Sequence, residues 1–453
     1  MNETSNQIKV GEQYTIELMD ITHSGEGVGR LENMIVFVEG GLPGDVVEVE
    51  IKNVKKTYAQ AKLLAINTAS PERVTPACPY FERCGGCQIL HMSYQGQLRA
   101  KAKMVGDALQ RIGGLKEIEV APIIGMEDPQ RYRNKAQFKL DNKGMGFYAK
   151  KSHNLVHIED CLNQPESAAD AIKTINALIQ ELNLSIYDER THKGYIRGVL
   201  QRTNLQGENM ITLIINGKDL SQRQAIVEGI LAGIPNVKSI YVNINREKGN
   251  VILGKKSLCV HGAARLVEQI GELSFSISPN SFFQVNSQQT VKLYDTIKAF
   301  ANLTGSETVF DLYCGTGTIG LYLAAQAKQV IGIESVGDAI LDARENAGLN
   351  QIENASFHLG RAEDTMLKII KEEGLKPDLI VLDPPRKGCE ETLLAAIIEQ
   401  QTPRVIYVSC NPSTLARDLK YLTEAGYAIK AVQPVDLFPG TGHVETVVLM
   451  SRV

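Results

Sequence analysis

The sequence lacks the features that mark exported, membrane-spanning and fibrous proteins. Its first residues, M-N-E-T-S-N-Q, hold no basic stretch followed by an apolar one, so no signal peptide is predicted. No apolar run is long enough to cross a bilayer, and the 453 residues contain no low-complexity stretch. The net charge of −4 shows no excess of positive charge, so any surface that binds nucleic acid must be local. These absences predict a globular protein without membrane contact.

The length and the cysteine count narrow the class further. A chain of 453 residues, 43% of them hydrophobic, is long enough for two or three domains. Its eight cysteines come without an export signal, which predicts a cytoplasmic protein in a reducing compartment. In that setting, clustered cysteines indicate metal binding or catalysis rather than disulfides.

The N-terminal region has the pattern of a small β-barrel. Short runs rich in β-branched residues, T-I-E-L, I-V-F-V, V-V-E-V-E-I and A-K-L-L-A-I, alternate with the turn clusters H-S-G-E-G-V-G-R and E-G-G-L-P-G-D. Short strands at even spacing are typical of barrels. Such barrels often bind RNA, but a barrel that only packs against its neighbour fits the pattern equally well.

Four cysteines form a candidate metal site. The stretch A-C-P-Y-F-E-R-C-G-G-C holds Cys78, Cys84 and Cys87, and Cys161 in H-I-E-D-C supplies a fourth thiol. Four thiolates suit either a tetrahedral zinc ion or an iron–sulfur cluster. The spacing by itself does not separate these two alternatives.

A basic window between the two cysteine segments is a candidate RNA surface. Residues 131–151 hold seven basic side chains, among them Arg131, Arg133 and Lys135, against a single acidic one. A charge run is usually a solvated face. Here four aromatic residues are interleaved, and rings stack on unpaired bases while positive charge follows phosphates, so RNA contact is favoured. The aromatic residues are Tyr132, Phe138, Phe147 and Tyr148.

From Val309 onward, strands alternate with helices. The stretch D-L-Y-C-G-T-G-T-I-G contains a G-x-G-x-x-G loop, which both NAD enzymes and methyltransferases use. The next strand ends in Glu334, where a carboxylate can accept hydrogen bonds from ribose hydroxyls. A later strand ends in Asp383, followed by two prolines that stiffen the loop. Seven strands with a final hairpin favour a methyltransferase-type Rossmann domain over a dehydrogenase.

Cys410 is the candidate nucleophile. It follows the strand-like run R-V-I-Y-V-S, and Asn411 and Pro412 after it suit the start of a helix. This arrangement predicts a thiol at the carboxyl edge of a sheet, next to a helix N-terminus that favours the thiolate. A lone cysteine is more often a buried structural residue, and the neighbouring motifs are what argue against that alternative.

Five motifs together resemble the RNA uracil-C5 methyltransferase family. They are F-F-Q-V-N, D-L-Y-C-G-T-G-T-I-G, D-P-P-R-K-G, S-C-N-P-S-T-L-A-R-D and H-V-E-T-V. The barrel and the four cysteines resemble the branch that modifies 23S ribosomal RNA, which carries a TRAM domain and a [4Fe-4S] cluster. The resemblance implies a mainly α/β chain whose C-terminal domain is a seven-stranded, Rossmann-like methyltransferase of class I. It also implies a TRAM barrel at 1–68, a central α+β iron–sulfur domain from 69–92 and 123–281, and a catalytic domain from 93–122 and 282–453.

The resemblance also assigns roles. The expected reaction forms 5-methyluridine in large-subunit ribosomal RNA with S-adenosylmethionine, and a tRNA substrate is the alternative. Cys410 would add to uracil C6, and Glu445 would remove the C5 proton after methyl transfer. Phe282 would stack on the flipped base, and the chain would act as a monomer. The residues expected on the cofactor are Gln284, Tyr313, Glu334 and Asp383.

Three rival interpretations remain open on the sequence. The D-P-P motif resembles the acidic–Pro–Pro motif of amino-group N-methyltransferases, which need no nucleophilic cysteine. A non-catalytic RNA-binding scaffold would have no use for the glycine loop. A NAD dehydrogenase would use that loop, but nothing else in the chain supports it.

Overall fold

The computed structural model describes residues 8–249 and 251–453, which form four sheets. The stretch in which no signal peptide is predicted, residues 1–7, lies outside the described residues. No helix in the described ranges combines the length and the apolar character that crossing a bilayer requires.

The first sheet is a closed barrel with the strand order β1-β2-β3-β5-β4. Its strands are β1 (Gln13–Ile21), β2 (Glu26–Leu31), β3 (Met34–Glu39), β4 (Val46–Val54) and β5 (Tyr58–Thr68). Side chains alternate in and out, and Leu18, Val36 and Val49 are fully buried inside. The predicted barrel is confirmed.

The cysteine-bearing segment after the barrel is made of turns, but it is firmly attached. Asp45, fully buried beside the barrel, accepts hydrogen bonds from the Ser70 amide and from the Arg73 guanidinium. Helix α1 (Tyr94–Arg111) follows. Ser93 caps its N-terminus, because the Ser93 hydroxyl accepts a hydrogen bond from the Gly96 amide at 3.1 Å.

The central region is a seven-stranded sheet with two helices packed on one face. Its strand order is β12-β11-β10-β9-β6-β7-β8, and a two-stranded hairpin follows it. The elements are β6 (Lys135–Asp141), β7 (Gly144–Tyr148), β8 (Leu155–His157), α2 (Ser167–Glu181), β9 (Ile196–Thr203), β10 (Asn209–Ile215), α3 (Arg223–Gly233), β11 (Val237–Ile244), β12 (Lys256–Gly262), β13 (Leu266–Ile270) and β14 (Leu273–Ile277).

The C-terminal region is a second seven-stranded sheet, and the predicted seven strands with a final hairpin are confirmed. Five strands are parallel, and the antiparallel β21 inserts between β19 and β20 to give the order β17-β16-β15-β18-β19-β21-β20. The elements are α4 (Ser287–Ala301), β15 (Thr308–Leu312), α5 (Thr318–Ala324), β16 (Gln329–Glu334), α6 (Gly337–Leu349), β17 (Ala355–Leu359), α7 (Ala362–Glu373), β18 (Leu379–Leu382), α8 (Glu391–Glu399), β19 (Arg404–Ser409), α9 (Pro412–Glu424), β20 (Tyr427–Val435) and β21 (Glu445–Arg452).

Helix α1 is separated from the C-terminal sheet in sequence but packs against it. Val105 and Leu109 on its buried face share one apolar core with Phe310 and Tyr407 of the sheet. The chain therefore leaves the C-terminal unit after α1, builds the central sheet, and returns.

Candidate active site

The carboxyl edge of the C-terminal sheet brings the predicted chemical groups together. Cys410 follows β19, Asp383 follows β18 and Glu334 ends β16, and these parallel strands share one edge. Glu445 reaches that edge from the opposite direction, as the first residue of the antiparallel β21. Because Ser409 pairs with Thr446, the register places Glu445 opposite Cys410.

Burial controls the protonation of these groups, with repulsion from Asp383 added at Glu445. The Glu445 side chain is only 4% exposed, and burial together with the Asp383 carboxyl raises its pKa to about 8, against the opposing charge of Arg386. Burial likewise raises the pKa of Asp383 to about 7. Two carboxyl groups thus exchange protons near neutral pH, which is the range in which acid–base catalysts operate.

The predicted strand–turn–helix around Cys410 is confirmed. The Asn411 side chain caps α9 by accepting the Ser413 amide at 3.1 Å, and Pro412 occupies the first turn. The thiol form of Cys410 nevertheless predominates at neutral pH in this structure. Burial, followed by the charges of Glu445 and Asp383, raises the pKa of Cys410 to about 11.

The glycine loop at the end of β15 leaves space for a ligand. Gly315 has a φ of +54° and no atom within 4 Å of the position a Cβ would take, so a bound molecule can approach its backbone closely. Its amide donates to Glu334 Oε2 at 3.2 Å, while Glu334 Oε1 accepts the Val336 amide at 2.9 Å. These two hydrogen bonds hold the Glu334 carboxylate beside the glycine loop, which begins directly after Tyr313.

The F-F-Q-V-N segment presents one aromatic side chain to solvent. Phe282 is 71% exposed whereas Phe283 is buried in the core. Gln284 is held through its carbonyl, which accepts the Asn134 side chain at 2.9 Å, and Asn286 caps α4. An exposed ring on a backbone held in this way is suited to stacking.

The four cysteines of the predicted metal site line one cavity of about 380 Å³. Burial and the three other thiols raise the pKa of Cys87 to about 12, and the pKa values of Cys84 and Cys161 are also raised. Within residues 8–249 and 251–453, no three His, Cys, Asp or Glu side chains converge closely enough to hold a single metal ion. The structure thus brings Cys78, Cys84, Cys87 and Cys161 to one cavity without forming a single-ion site.

Fewer residues of the basic window, 131–151, are available to contact RNA than the sequence predicted. Arg131 is neutralised by Asp160, at 2.6 Å, and it also donates to the carbonyl of Cys161. The predicted stacking role is wrong for Tyr132 and Phe138, which are 6% and 1% exposed and belong to the interior.

Three cations of the window have no acidic partner. In the described part of the chain, no carboxylate lies within salt-bridge distance of Arg133, Lys135 or Lys143. Burial and the neighbouring Arg202 and Arg133 lower the pKa of Lys135 to about 7. Arg133 therefore offers an unpaired positive charge, and an anion bound here would favour the charged form of Lys135.

Comparison with known proteins decides the family. Residues 93–453 match the tRNA (uracil-5-)-methyltransferase family, and residues 7–64 match the TRAM domain. The chain belongs to this methyltransferase family. Similar relatives are named RNA methyltransferases: one from Bacillus cereus is 46% identical over 96% of this chain and 95% of its own length. One from Clostridium tetani is 44% identical over 98% and 97%.

A solved structure of a family member is also similar. The tRNA (uracil-54, C5)-methyltransferase of Pyrococcus abyssi, in complex with S-adenosyl-L-homocysteine, is 28% identical with a TM-score of 0.79. The match covers 96% of this chain and all of the Pyrococcus chain. As a family member, the protein is an S-adenosylmethionine-dependent RNA methyltransferase. The open backbone at Gly315 and the Glu334 carboxylate fit that cofactor.

Two groups of this methyltransferase site escaped the sequence-based prediction. Arg386, exposed within D-P-P-R-K-G, lowers the pKa of both Cys410 and Glu445. Asp311 accepts the Gly320 amide at 2.8 Å, and burial raises its pKa to about 7. Arg386 lies in the D-P-P-R-K-G motif and Asp311 in the D-L-Y-C-G-T-G-T-I-G motif, so both motifs pointed to these positions. Their electrostatic effects could not be read from the motifs, because they depend on residues that are distant in the sequence.

Proposed function

We propose that the protein methylates C5 of a uridine in large-subunit ribosomal RNA, forming 5-methyluridine. The observation that carries this proposal is the pairing of Cys410 with Glu445 at one sheet edge, where a thiol faces a carboxyl group with a pKa of about 8. Methylation of C5 needs both, because C5 is a weak nucleophile until a thiolate adds to C6.

Each proposed role follows from position. The Cys410 thiol first loses its proton to water, the thiolate then bonds to C6, and the electron pair displaced from the C5–C6 double bond makes C5 nucleophilic. Bound S-adenosylmethionine supplies an electrophilic methyl group. Glu445 then takes the C5 proton, the C6–sulfur bond breaks, and the double bond is restored. Gln284, Tyr313, Glu334 and Asp383 are proposed to hold the cofactor.

The RNA contacts are proposed from exposure and charge. Phe282, the exposed ring at the site, would stack on the uracil once it leaves the helix stack. Arg133 and Lys135 would contact phosphates, because their charges are unpaired. Arg131 is committed to Asp160, and its proposed contribution is therefore to hold the Cys161 segment.

We further propose that the four cysteines hold a [4Fe-4S] cluster. The shared cavity supports this, since it is larger than one ion needs. We propose the domain division 1–68, 69–92 with 123–281, and 93–122 with 282–453, which the packing of α1 supports. We also propose that the protein acts as a monomer and that it is located in the cytoplasm.

Mapping 5-methyluridine in a strain that lacks the gene tests the function. We expect the modified base to disappear from one or two positions of the large-subunit ribosomal RNA and to return when the gene is restored. Loss from tRNA alone would favour the second candidate substrate, which the name of the Pyrococcus relative supports. Loss of a methylated amino group with intact 5-methyluridine would contradict both.

A further inference from the structure

The loop between β20 and β21 is held by other parts of the chain at each of its first five residues. It spans residues 436–444 and ends directly before Glu445. Four consecutive carbonyl groups, those of residues 437–440, accept hydrogen bonds from side chains or amides outside the loop. The donors are Asn286 to Leu437 at 3.0 Å, Lys101 to Phe438 at 2.9 Å, Tyr132 to Pro439 at 3.0 Å, and the Gln88 and Ile89 amides to Gly440 at 3.0 and 3.1 Å.

Two of these contacts come from the cysteine-bearing segment. Gln88 and Ile89 directly follow Cys87, so the backbone that positions the Cys87 thiol also holds the Gly440 carbonyl. A Cβ on Gly440 would lie 2.7 Å from Leu90 and 3.8 Å from the Cys87 sulfur. The loop therefore packs directly against the cysteine cavity.

A side-chain relay makes a second connection between the same two places. The Asn163 carboxamide donates to the Cys87 sulfur at 3.2 Å and to the Tyr132 hydroxyl at 3.4 Å. The Tyr132 hydroxyl donates in turn to the Pro439 carbonyl. Both side chains are buried, so water does not compete with these bonds.

We propose that Asn163 and Tyr132 are positioning residues that connect the cysteine site to Glu445. Because Glu445 pairs with Val435 across the base of the loop, a displacement of residues 439–440 changes how Glu445 faces Cys410. A ligand on Cys87 fixes the sulfur that Asn163 contacts, and an empty cysteine site leaves that sulfur free to move. Whether the cysteine site is occupied or empty therefore changes the rate of proton abstraction by Glu445 in the proposed reaction. It does not change the addition of Cys410 to the base.

The first test measures the loop itself and needs no RNA. Hydrogen–deuterium exchange of residues 436–444 is compared between anaerobically prepared holoprotein, protein emptied by oxidation and chelation, and a Tyr132→Phe variant. We expect exchange in this loop to become about tenfold faster in the second and third samples, as the loss of one buried hydrogen bond predicts. Unchanged exchange in both would overturn the inference, whatever the enzyme does with RNA.

Tyr427→Phe is the matched control. Tyr427 is also buried and donates to a backbone carbonyl, that of Thr402 at 2.9 Å, but it lies at the far end of the β20–β21 hairpin. The substitution removes the same kind of bond, so exchange in residues 436–444 should stay as in the wild type. A general loosening in both variants would count against a specific relay.

The second test uses the order of the proposed reaction steps. With labelled cofactor and a uridine-containing RNA, Tyr132→Phe and Asn163→Leu should transfer the first methyl group within twofold of the wild-type rate. They should also accumulate about tenfold more covalent protein–RNA adduct, because the Glu445 step is slowed. Adduct at the wild-type level, or an equal loss of both steps, would overturn the relay. If wild-type protein makes no 5-methyluridine, the proposed function fails, and the exchange result still decides the relay.

Discussion

Two neighbouring residues at one sheet edge divide the proposed chemistry between them. Cys410 and Glu445 adjoin Ser409 and Thr446, the end pair of the β19–β21 register, yet they would act at different times, before and after methyl transfer. Substitution of one or the other should therefore stop the reaction at different points.

Glu445→Gln is expected to trap the enzyme on its product. Addition and methyl transfer can proceed without the carboxylate, but the C5 proton stays and the C6–sulfur bond cannot break. A labelled protein–RNA complex should survive denaturing electrophoresis, whereas Cys410→Ala should form neither adduct nor product. Normal turnover by Glu445→Gln would show that another group removes the C5 proton, and Asp383 would be the first residue to substitute.

The pH dependence of adduct breakdown should report on Glu445. Its pKa is raised to about 8, so the carboxylate form that can accept a proton is scarce at pH 6 and predominates only above about pH 8. The rate should rise through that range and then level off. Arg386→Gln removes a positive charge that lowers this pKa, so the midpoint should move to higher pH.

Lys387→Gln serves as the control for this profile. Lys387 is exposed beside Arg386 and is paired with Glu390, so its loss should leave the midpoint in place. A midpoint that stays unchanged in Arg386→Gln as well would argue against Glu445 as the titrating group.

At the scale of elements, a buried ion pair joins α1 to the β20–β21 loop. Lys101 and Asp436 form an ion pair at 2.6 Å, and both side chains are fully buried. The Tyr94 hydroxyl donates to the same carboxylate at 3.0 Å. This buried pair fixes α1 against the segment that leads to Glu445.

Lys101→Met should be severely destabilising. It leaves the Asp436 carboxylate buried without its cation, which typically costs about 3–5 kcal/mol. Adding Asp436→Asn should recover part of that stability. Lys103→Met, two residues further along α1, breaks only exposed pairs and should cost less than about 1 kcal/mol in denaturant unfolding. Equal costs for the two lysine variants would contradict this ranking.

The central sheet should contribute to RNA affinity through its unpaired cations. Replacing Arg133 and Lys135 together by glutamine should weaken RNA binding and reduce its salt slope by roughly 0.7–0.9 log units for each phosphate that is no longer neutralised. Arg131→Gln should change the slope little, because that guanidinium is already paired with Asp160. If Arg131→Gln has the larger effect on the slope, the assignment of the phosphate-binding residues is reversed.

At the scale of the whole molecule, segments distant in the chain meet around the cysteine cavity. Cys161 lies after β8 and the other three cysteines precede α1, and the loop that leads to Glu445 closes against them. Barrel, central sheet and catalytic sheet also meet at this point, where Gly442 packs directly on the His23 carbonyl. Removal of the proposed [4Fe-4S] cluster should therefore affect all three regions of the molecule.

Anaerobically purified protein should be brown and contain about four irons per chain, as one [4Fe-4S] cluster requires. Cys161→Ser should lose the iron, and Cys259→Ser, at an exposed cysteine outside the cavity, should keep it. One equivalent of zinc without iron would disprove the cluster and support the alternative that the cysteine spacing left open.

Local patterns were enough to predict much of this protein from its sequence. The barrel strands, the glycine loop, and the strand–turn–helix around Cys410 are each encoded within short stretches, because strand alternation and helix capping act over short distances. The five motifs led to the family for the same reason, since each lies in one continuous stretch.

Only the tertiary structure decided which charged and aromatic groups are free to act. The partner of Arg131 lies 29 residues away and that of Lys101 lies 335 residues away, so no sequence window shows that either charge is neutralised. Tyr132 and Phe138 are interleaved with basic residues in the sequence, which favoured a stacking role, but the fold buries them. The raised pKa of Cys410 has the same origin. It depends first on burial by the fold and then on carboxyl groups that separate strands bring to one edge, and electrostatic energy follows distance in space rather than distance along the chain.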